Sequence, residues 1–339
     1  MIFVTGGTGM LGSYLLLELT KSDEQIIASK RANSSLKTVE EIFKTYSSNY
    51  NTLLEKIKWI DIDLFDQNEI EEQLNEVAEI YHCAAQISAS PKQKEIIINN
   101  NLQITKNLIN AAINKNVSKF CHVSSIAALG NTANEKEISE TTLWKEQKNN
   151  SSYSTSKYLS EMEVWRGIAE GLNAIIINPS VILGIGDWEK GSANLFKKVS
   201  AGFKYYTNGA SGFVYAKDVA LIMLRLMENE NFFKQAYIIS AENLTFRNIF
   251  NQIANALEVN PPNTYATPLL TQIAWRLEWI RSQFSGKDPL ITKESARTAH
   301  KILKYNNKKL LDVMPYRYRS IEDCIQHIAN TYKIQNAKV

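Results

Sequence analysis

The chain has 339 residues, of which 44% are hydrophobic and 22% charged, and its formal net charge is +3. That is enough chain for about two globular domains, and the balance, with no basic arm or stripe, excludes nucleic acid as a main partner. The cysteines, Cys83, Cys121 and Cys324, have no metal-ligand spacing and fit a reducing cytoplasm; no basic leader precedes an apolar run, and no run approaches the roughly 18 apolar residues of a membrane span.

In chain order, short apolar runs rich in Ile and Val alternate with helical patterns. Strands are expected at 2–5, 25–29, 58–62, 79–83, 119–124 and 174–178, each nearly continuous in apolar character, as in strands covered on both faces. Helices are expected between them at 9–20, 36–46, 67–77, 97–115 and 154–170. This alternation predicts an α/β fold, a doubly wound parallel sheet with helices on both faces. From Val181 onward the pattern is mixed. Segments 213–220 and 236–240 are expected to return to the first sheet as strands or helix starts. Residues 149–152 read as a polar turn, and Pro261, Pro262 and Pro268 punctuate a loop before a helix over 269–284. Leu269, Ile273, Leu277, Ile280 and Phe284 share one face of that helix, widened by Trp275 and Trp279, and core packing or a pocket lid is preferred to membrane contact. The expected division is a dinucleotide domain over 1–180 with about 213–240, and a smaller substrate domain over 181–212 and 241–335.

The first strand runs into TGGTGMLG: Thr5, Gly6, Gly7, Thr8, Gly9, Met10, Leu11 and Gly12. Glycine costs backbone entropy, so four in eight residues need a geometric reason. A helix start presents unpaired N–H groups and the positive end of its dipole, and glycine lets a pyrophosphate approach them. The run satisfies G-x-G-x-x-G between a strand and a helix, which makes it a candidate dinucleotide turn. An NAD site places an acid after the second strand for the ribose 2′-hydroxyl. Here the stretch reads IIASKRANSS, and Lys30 and Arg31 suit a 2′-phosphate, favouring NADP(H) over NAD(H). Asp63 with Leu64, after the third strand, is a candidate for the adenine end or a plain helix cap.

SSYSTSKYLSE places Tyr153 and Lys157 four apart, on one helix face. An ammonium beside a phenol favours the phenolate and is expected to lower the tyrosine pKa, tuning it for proton transfer. Tyr305 and Lys309 repeat the spacing in a basic stretch with Lys301, Lys304 and Lys308, and read as a decoy on a solvated surface. Ser124 and Ser125 end the apolar strand FCHVSS. Strand ends of a parallel sheet face the ligand crevice, so a serine, the tyrosine and the lysine can converge there.

With these pieces in place the chain resembles the extended short-chain dehydrogenase/reductase superfamily, the NAD-dependent epimerase/dehydratase family. TGGTGMLG, DIDL, HCAA, NNNLQITKNLINAA, VSSIAALG, YSTSK, NPSVILG and FVYAKDVA occur in the family's order from about residue 2 to 220. The resemblance implies a Rossmann-type fold with a smaller, mostly C-terminal substrate domain. It implies Ser125 as carbonyl hydrogen-bond donor, Tyr153 as acid/base, Lys157 as its activator and ribose ligand, and Asn101 at a proton-relay position. It also implies Ala84 and Ala85 as the small pair beside the cofactor, with Pro179 and Ser180 bordering the nicotinamide. His82 is expected to be a buried strand residue without catalytic or metal role. Dimerisation through two helices of the first domain is common in the family.

Three departures narrow the reaction. Ser211 and Gly212 stand where nucleotide-sugar enzymes carry Arg-Asp, whose arginine grips a phosphate. Ile126 and Ala127 stand where dehydratases carry an Asp-Glu pair, and Asn178 replaces the common arginine before proline. What remains resembles the dihydroflavonol-4-reductase-like branch, which implies reduction of a ketone or aldehyde by NADPH. A sugar epimerase holding NAD and a non-catalytic NAD(P)-binding regulator are the alternatives. Trp188, Phe196, Phe203, Tyr205 and Tyr206 are expected either to wall the substrate pocket or to form a local core.

Overall fold

In a computed structural model the described residues are 1–86, 94–130, 137–145, 150–285 and 291–336. Seven parallel strands form the central sheet: β1 (Ile2–Thr5), β2 (Ile26–Lys30), β3 (Ile57–Asp61), β4 (Glu79–His82), β5 (Lys119–Val123), β6 (Ala174–Pro179) and, completing the edge, Gln235–Ile239. Between the last two lie β7 (Val181–Leu183), β8 (Tyr205–Tyr206) and β9 (Ala210–Tyr215), so the edge strand is β10, followed by β11 (Glu242–Thr245) and β12 (Thr264–Tyr265). The order across the sheet is β10-β6-β5-β4-β1-β2-β3. The order in which strands are added reverses between β1 and β4, which puts the ligand crevice of such a sheet at their C-terminal ends.

The helices on and between these strands are α1 (Met10–Leu19), α2 (Lys37–Tyr46), α3 (Tyr50–Glu55), α4 (Gln67–Gln73), α5 (Lys94–Asn114), α6 (Ser152–Ala169), α7 (Asn194–Ser200) and α8 (Ala216–Glu228). After β10 come α9 (Phe246–Leu257), α10 (Pro268–Ser285), α11 (Lys293–Thr298), α12 (Lys308–Val313) and α13 (Ile321–Asn336).

Strand residues alternate between two cores, as the two-residue period requires. Val4, Ala28, Tyr81, Cys121, Ile175 and Tyr237 face the layer containing α1, α2, α8 and α13. Phe3, Ile27, Ile80, Phe120 and Ile176 face α4, α5 and α6. The strand expectations hold to within a residue or so at each end, and α3 is an added element. The cysteines are free.

The second half departs from expectation in two places. The return at 236–240 is the edge strand β10, paired in parallel with β6. Segment 213–220 does not enter the first sheet as a strand: β9 pairs with β7 and β11 in a separate three-stranded sheet, while α8 packs beside α1. Of the expected turn at 149–152, Asn149 lies outside the described residues; Ser151 caps α6, accepting from the Ser154 N–H at 2.8 Å. The helix expected over 269–284 forms as α10, but its apolar face is not core. Leu269, Ile273, Leu277, Ile280 and Phe284 are all exposed, while Thr271 is buried and Glu278 half-buried.

Candidate active site

The glycine turn closes on itself. A Cβ on Gly12 would stand 2.3 Å from the Gly6 carbonyl oxygen and 2.8 Å from Gly7 Cα, contacts no side chain tolerates. Gly9 caps α1 in an extended conformation with no side-chain hydrogen bond, leaving the N–H groups of the first helical turn open to an anion. The Ser13 hydroxyl donates back to the carbonyls of Gly7 and Gly9, at 3.1 and 2.7 Å.

A cavity of about 970 Å³ opens from this turn across the C-terminal ends of β1, β4, β5 and β6. Gly6, Gly9, Met10, Leu11 and Gly12 line one end, and Ala85, Pro179 and Ser180 its floor. Ser125, Tyr153 and Lys157 line its middle. Thr5 and Ala84 stand behind the wall: Thr5 Oγ1 accepts from the Ala84 N–H at 3.3 Å and bonds His82 Nδ1 at 2.8 Å. Gly7 is buried and Thr8 half-buried, and neither lines the cavity.

Ser125 and Tyr153 meet on the cavity wall, near enough for the Ser125 hydroxyl to act on the Tyr153 phenol. Ser125 is also a cap, its oxygen accepting from the Ala127 N–H at 3.1 Å. Lys157 is buried, and its ammonium donates to the Val123 carbonyl oxygen at 2.8 Å. Burial pulls the Lys157 pKa down to about 8, opposed by the neighbouring Cys83 and Glu161. The expected lowering of the Tyr153 pKa is not found. Burial is the larger influence and pushes the phenol up, with the Ser125 hydroxyl opposing it; the Lys157 ammonium makes its hydrogen bond to the Val123 carbonyl, and its charge bears on the phenolate once that forms. The phenol is thereby kept protonated at neutral pH.

The strand tip carrying the serines is anchored from below. Glu161, one turn beyond Lys157, accepts from Ser124 Oγ at 2.6 Å and from Asn178 Nδ2 at 2.8 Å. Asn178 Nδ2 also donates to the Ser125 carbonyl oxygen at 3.1 Å. Asn178 therefore does in neutral form what positions the serine turn, and burial raises the Glu161 pKa. Glu161 was not expected from sequence.

Several expected residues lie elsewhere. Asn101 does not line the cavity. Its amide accepts from the Gln86 N–H at 2.7 Å and donates to Gln86 O and Ser156 Oγ at 3.0 and 3.2 Å, tying α5 to α6. Lys30, the last residue of β2, forms an ion pair with Asp61, so of Lys30 and Arg31 it is the exposed Arg31 that has no ion-pair partner among the described residues. Asp63 caps its own turn through the Phe65 N–H at 3.0 Å, and the Leu64 carbonyl accepts from Asn107. His82 is buried between Thr5 and Thr105, its pKa driven by burial to about 3.

The aromatic wall expected from Trp188, Phe196, Phe203, Tyr205 and Tyr206 is absent from the cavity lining. Trp188 packs edge-on to Phe196 and Tyr332, and Phe203 packs on Phe250. The wall comes instead from Trp144, stacked on Tyr158 at 4.6 Å, and from Ile138, Leu303 and Tyr305. Tyr305, read as a decoy, lies 3.1 Å from where a side chain on Gly212 would begin, and Ser180 Cβ lies 2.9 Å from it. Tyr305 thus crowds the space that the aspartate of an Arg-Asp pair would need at 212. Lys145, Arg297 and Lys301 line the far side, and no described Asp or Glu lines the cavity at all. Such a field attracts anions. Two long-range contacts could have signalled the 297–305 segment only in three dimensions: Ile302 bridges Ala210, and Tyr305 bridges Ile138.

The model of the NAD dependent epimerase/dehydratase family matches residues 2–240. A sterol-4-alpha-carboxylate 3-dehydrogenase, decarboxylating, of Dictyostelium discoideum is 23% identical, covering 91% of this chain and 93% of its own. Dihydroflavonol 4-reductase of Arabidopsis thaliana is 26% identical, covering 54% and 49%. The dTDP-glucose 4,6-dehydratase DesIV of Streptomyces venezuelae, solved with NAD and TYD bound, shares the fold with a TM-score of 0.75 at 16% identity over 99% and 98% of the two chains.

Proposed function

This chain belongs to the NAD dependent epimerase/dehydratase family, an NAD(P)-dependent enzyme of the extended short-chain dehydrogenase type, and we propose that it is an NADP(H)-dependent reductase of ketones or aldehydes. The observation that carries the reading is the meeting of Ser125, Tyr153 and Lys157 on one cavity with the glycine turn. The open N–H groups at α1 and a cationic lining with no carboxylate among the described residues fit a dinucleotide with its phosphates. Thr5 through Gly12 would hold the pyrophosphate, with Ala84, Ala85, Pro179 and Ser180 framing the ring. Arg31 would take the 2′-phosphate.

When bound, the nicotinamide supplies the hydride. The protein's part is to hold the carbonyl and deliver the proton. Ser125 Oγ donates a hydrogen bond to the carbonyl oxygen, and Tyr153 Oη gives that oxygen its proton. Lys157, as the ammonium, favours the phenolate left behind. Glu161 and Asn178 position the serine turn, and residues 241–335 contribute Arg297, Lys301, Leu303 and Tyr305 to the substrate side. Ile126 and Ala127 line the cavity and cannot move protons, which supports reduction over elimination.

Cofactor choice tests the Arg31 assignment. Arg31→Ala should raise the KM for NADPH roughly tenfold, the loss of one charge-assisted phosphate contact, and leave the KM for NADH unchanged. Steady-state kinetics with both cofactors checks it. A wild type that prefers NADH overturns the NADP(H) reading.

A further inference from the structure

Helix α10 is inside out. At the α-helical turn of about 100° per residue, Leu269, Leu270, Ile273, Leu277, Ile280 and Phe284 fall within one arc about 100° wide. All six are exposed, from 40% for Leu270 to 89% for Phe284. The opposite side, with buried Thr271 and half-buried Trp275 and Glu278, is the one turned inward. Thr271 Oγ1 bonds His300 Nε2 at 3.0 Å and donates to the Pro268 carbonyl oxygen, fixing that orientation. An apolar patch of this kind marks an interaction surface.

Charge says what covers it. Arg276 and Arg281 stand at the two edges of the apolar arc, and Trp279 lies beyond Arg276. The helix's single carboxylate, Glu278, lies on the far side, paired with Arg281 at 2.8 Å. Residues 268–301 hold six lysines and arginines against three carboxylates, a net +3 that equals the charge of the whole chain, with Arg297 and Lys301 of the six on the adjoining cavity wall. An apolar stripe rimmed by arginine and tryptophan is the pattern of a helix lying in a bilayer interface. Two copies face to face would set their Arg276 guanidiniums, which have no carboxylate partner among the described residues, along the same seam, whereas anionic headgroups complement them.

We propose that α10 docks this protein onto an anionic phospholipid surface, its Leu269–Phe284 face entering the headgroup boundary. No described helix is long and apolar enough to cross a membrane, so the chain lies on the bilayer. Helix α11, packed on α10, carries Arg297 of the cavity wall, which sets the substrate side of the cavity close to the lipid. An apolar carbonyl substrate would then pass from bilayer to cavity without crossing water.

Flotation with vesicles of phosphatidylcholine containing phosphatidylglycerol tests this on the full chain. Wild type should float with them, less at high salt. Leu277→Glu with Ile280→Glu should bind about tenfold more weakly or worse, since two buried apolar contacts become two charges beside headgroups. The same variant should melt like wild type and reduce a water-soluble carbonyl at the wild-type rate, because neither residue lines the cavity. Wild type that stays unbound overturns the proposal, as does a variant that binds equally well. A dimer in analytical ultracentrifugation, broken by the same substitutions in a protein that ignores vesicles, would assign the face to a second copy instead. Vesicle binding is read without turnover, so its failure and a failure of the reductase reading are distinguishable.

Discussion

Tyr153→Phe should lower kcat for NADPH-dependent carbonyl reduction by roughly a hundred- to ten-thousandfold, the usual worth of a positioned proton donor. The substitution removes one oxygen and keeps the ring, so cofactor affinity measured by fluorescence titration should change little. The structure gives two reasons for the size of the effect. Tyr153 lines the cavity beside Ser125, and no described carboxylate lines the cavity to substitute as an acid. The Ser125 hydroxyl remains in the variant as a hydrogen-bond donor, but its proton is far harder to release than that of a phenol. A variant within tenfold of wild type, with cofactor binding intact, would remove Tyr153 from the role.

Lys157 sets the second large effect and its pH dependence. Burial lowers its pKa to about 8, so at pH 7 it is mostly an ammonium, and it loses that charge as pH rises through about 8. The phenol's shift runs the other way, upward, so Tyr153 stays protonated across this range. kcat/KM for reduction, which reports the free enzyme, should therefore fall with increasing pH above about 8. Lys157→Met should be slower by roughly a hundredfold or more, for want of the charge that favours the phenolate, and should lose that inflection. The sign for stability follows from the same shift. The unfolded chain holds the Lys157 proton more tightly than the folded one, so the cost of burying the charge is full below pH 8. It is relieved as pH rises from about 8 toward the ordinary lysine value near 10.4. A reduction rate that instead climbs through pH 8 would mean that the neutral amine is the working form.

What the sequence disclosed divides along the range of the interactions. Strands β1 to β6 and helices α1, α2, α5 and α6 were legible because each is fixed by local periodicity and both faces of the sheet are covered. The glycine turn was legible because its constraint is local too: Gly6 and Gly12 touch across six residues. Tyr153 and Lys157 were legible from one helical turn. The far wall of the cavity was not. Arg297, Lys301 and Tyr305 reach it only because the chain after α11 runs along β9 and past Ile138, contacts separated by more than ninety residues that leave no period behind. The same blindness hid Glu161, whose place under the serine turn depends on Asn178 from a different strand. At Asn101 the family position is legible and the partners are not: the side chain ties Gln86 to Ser156. For α10 the amphipathic pattern is legible in the sequence, and whether its face packs into the core is not. Periodicity gives the existence of an apolar face but not the neighbour it meets, and here Thr271 and Glu278 occupy the inward side.

The central claim is net reduction of a carbonyl by cofactor supplied from solution. It is tested most directly by giving the purified protein NADPH and a panel of apolar ketones and aldehydes, and measuring nicotinamide absorbance and alcohol product together. One NADPH consumed for each alcohol formed, abolished by Tyr153→Phe, is the predicted result. Conversion of a sugar substrate with no net change in nicotinamide absorbance, by protein that carries its own NAD, would contradict it.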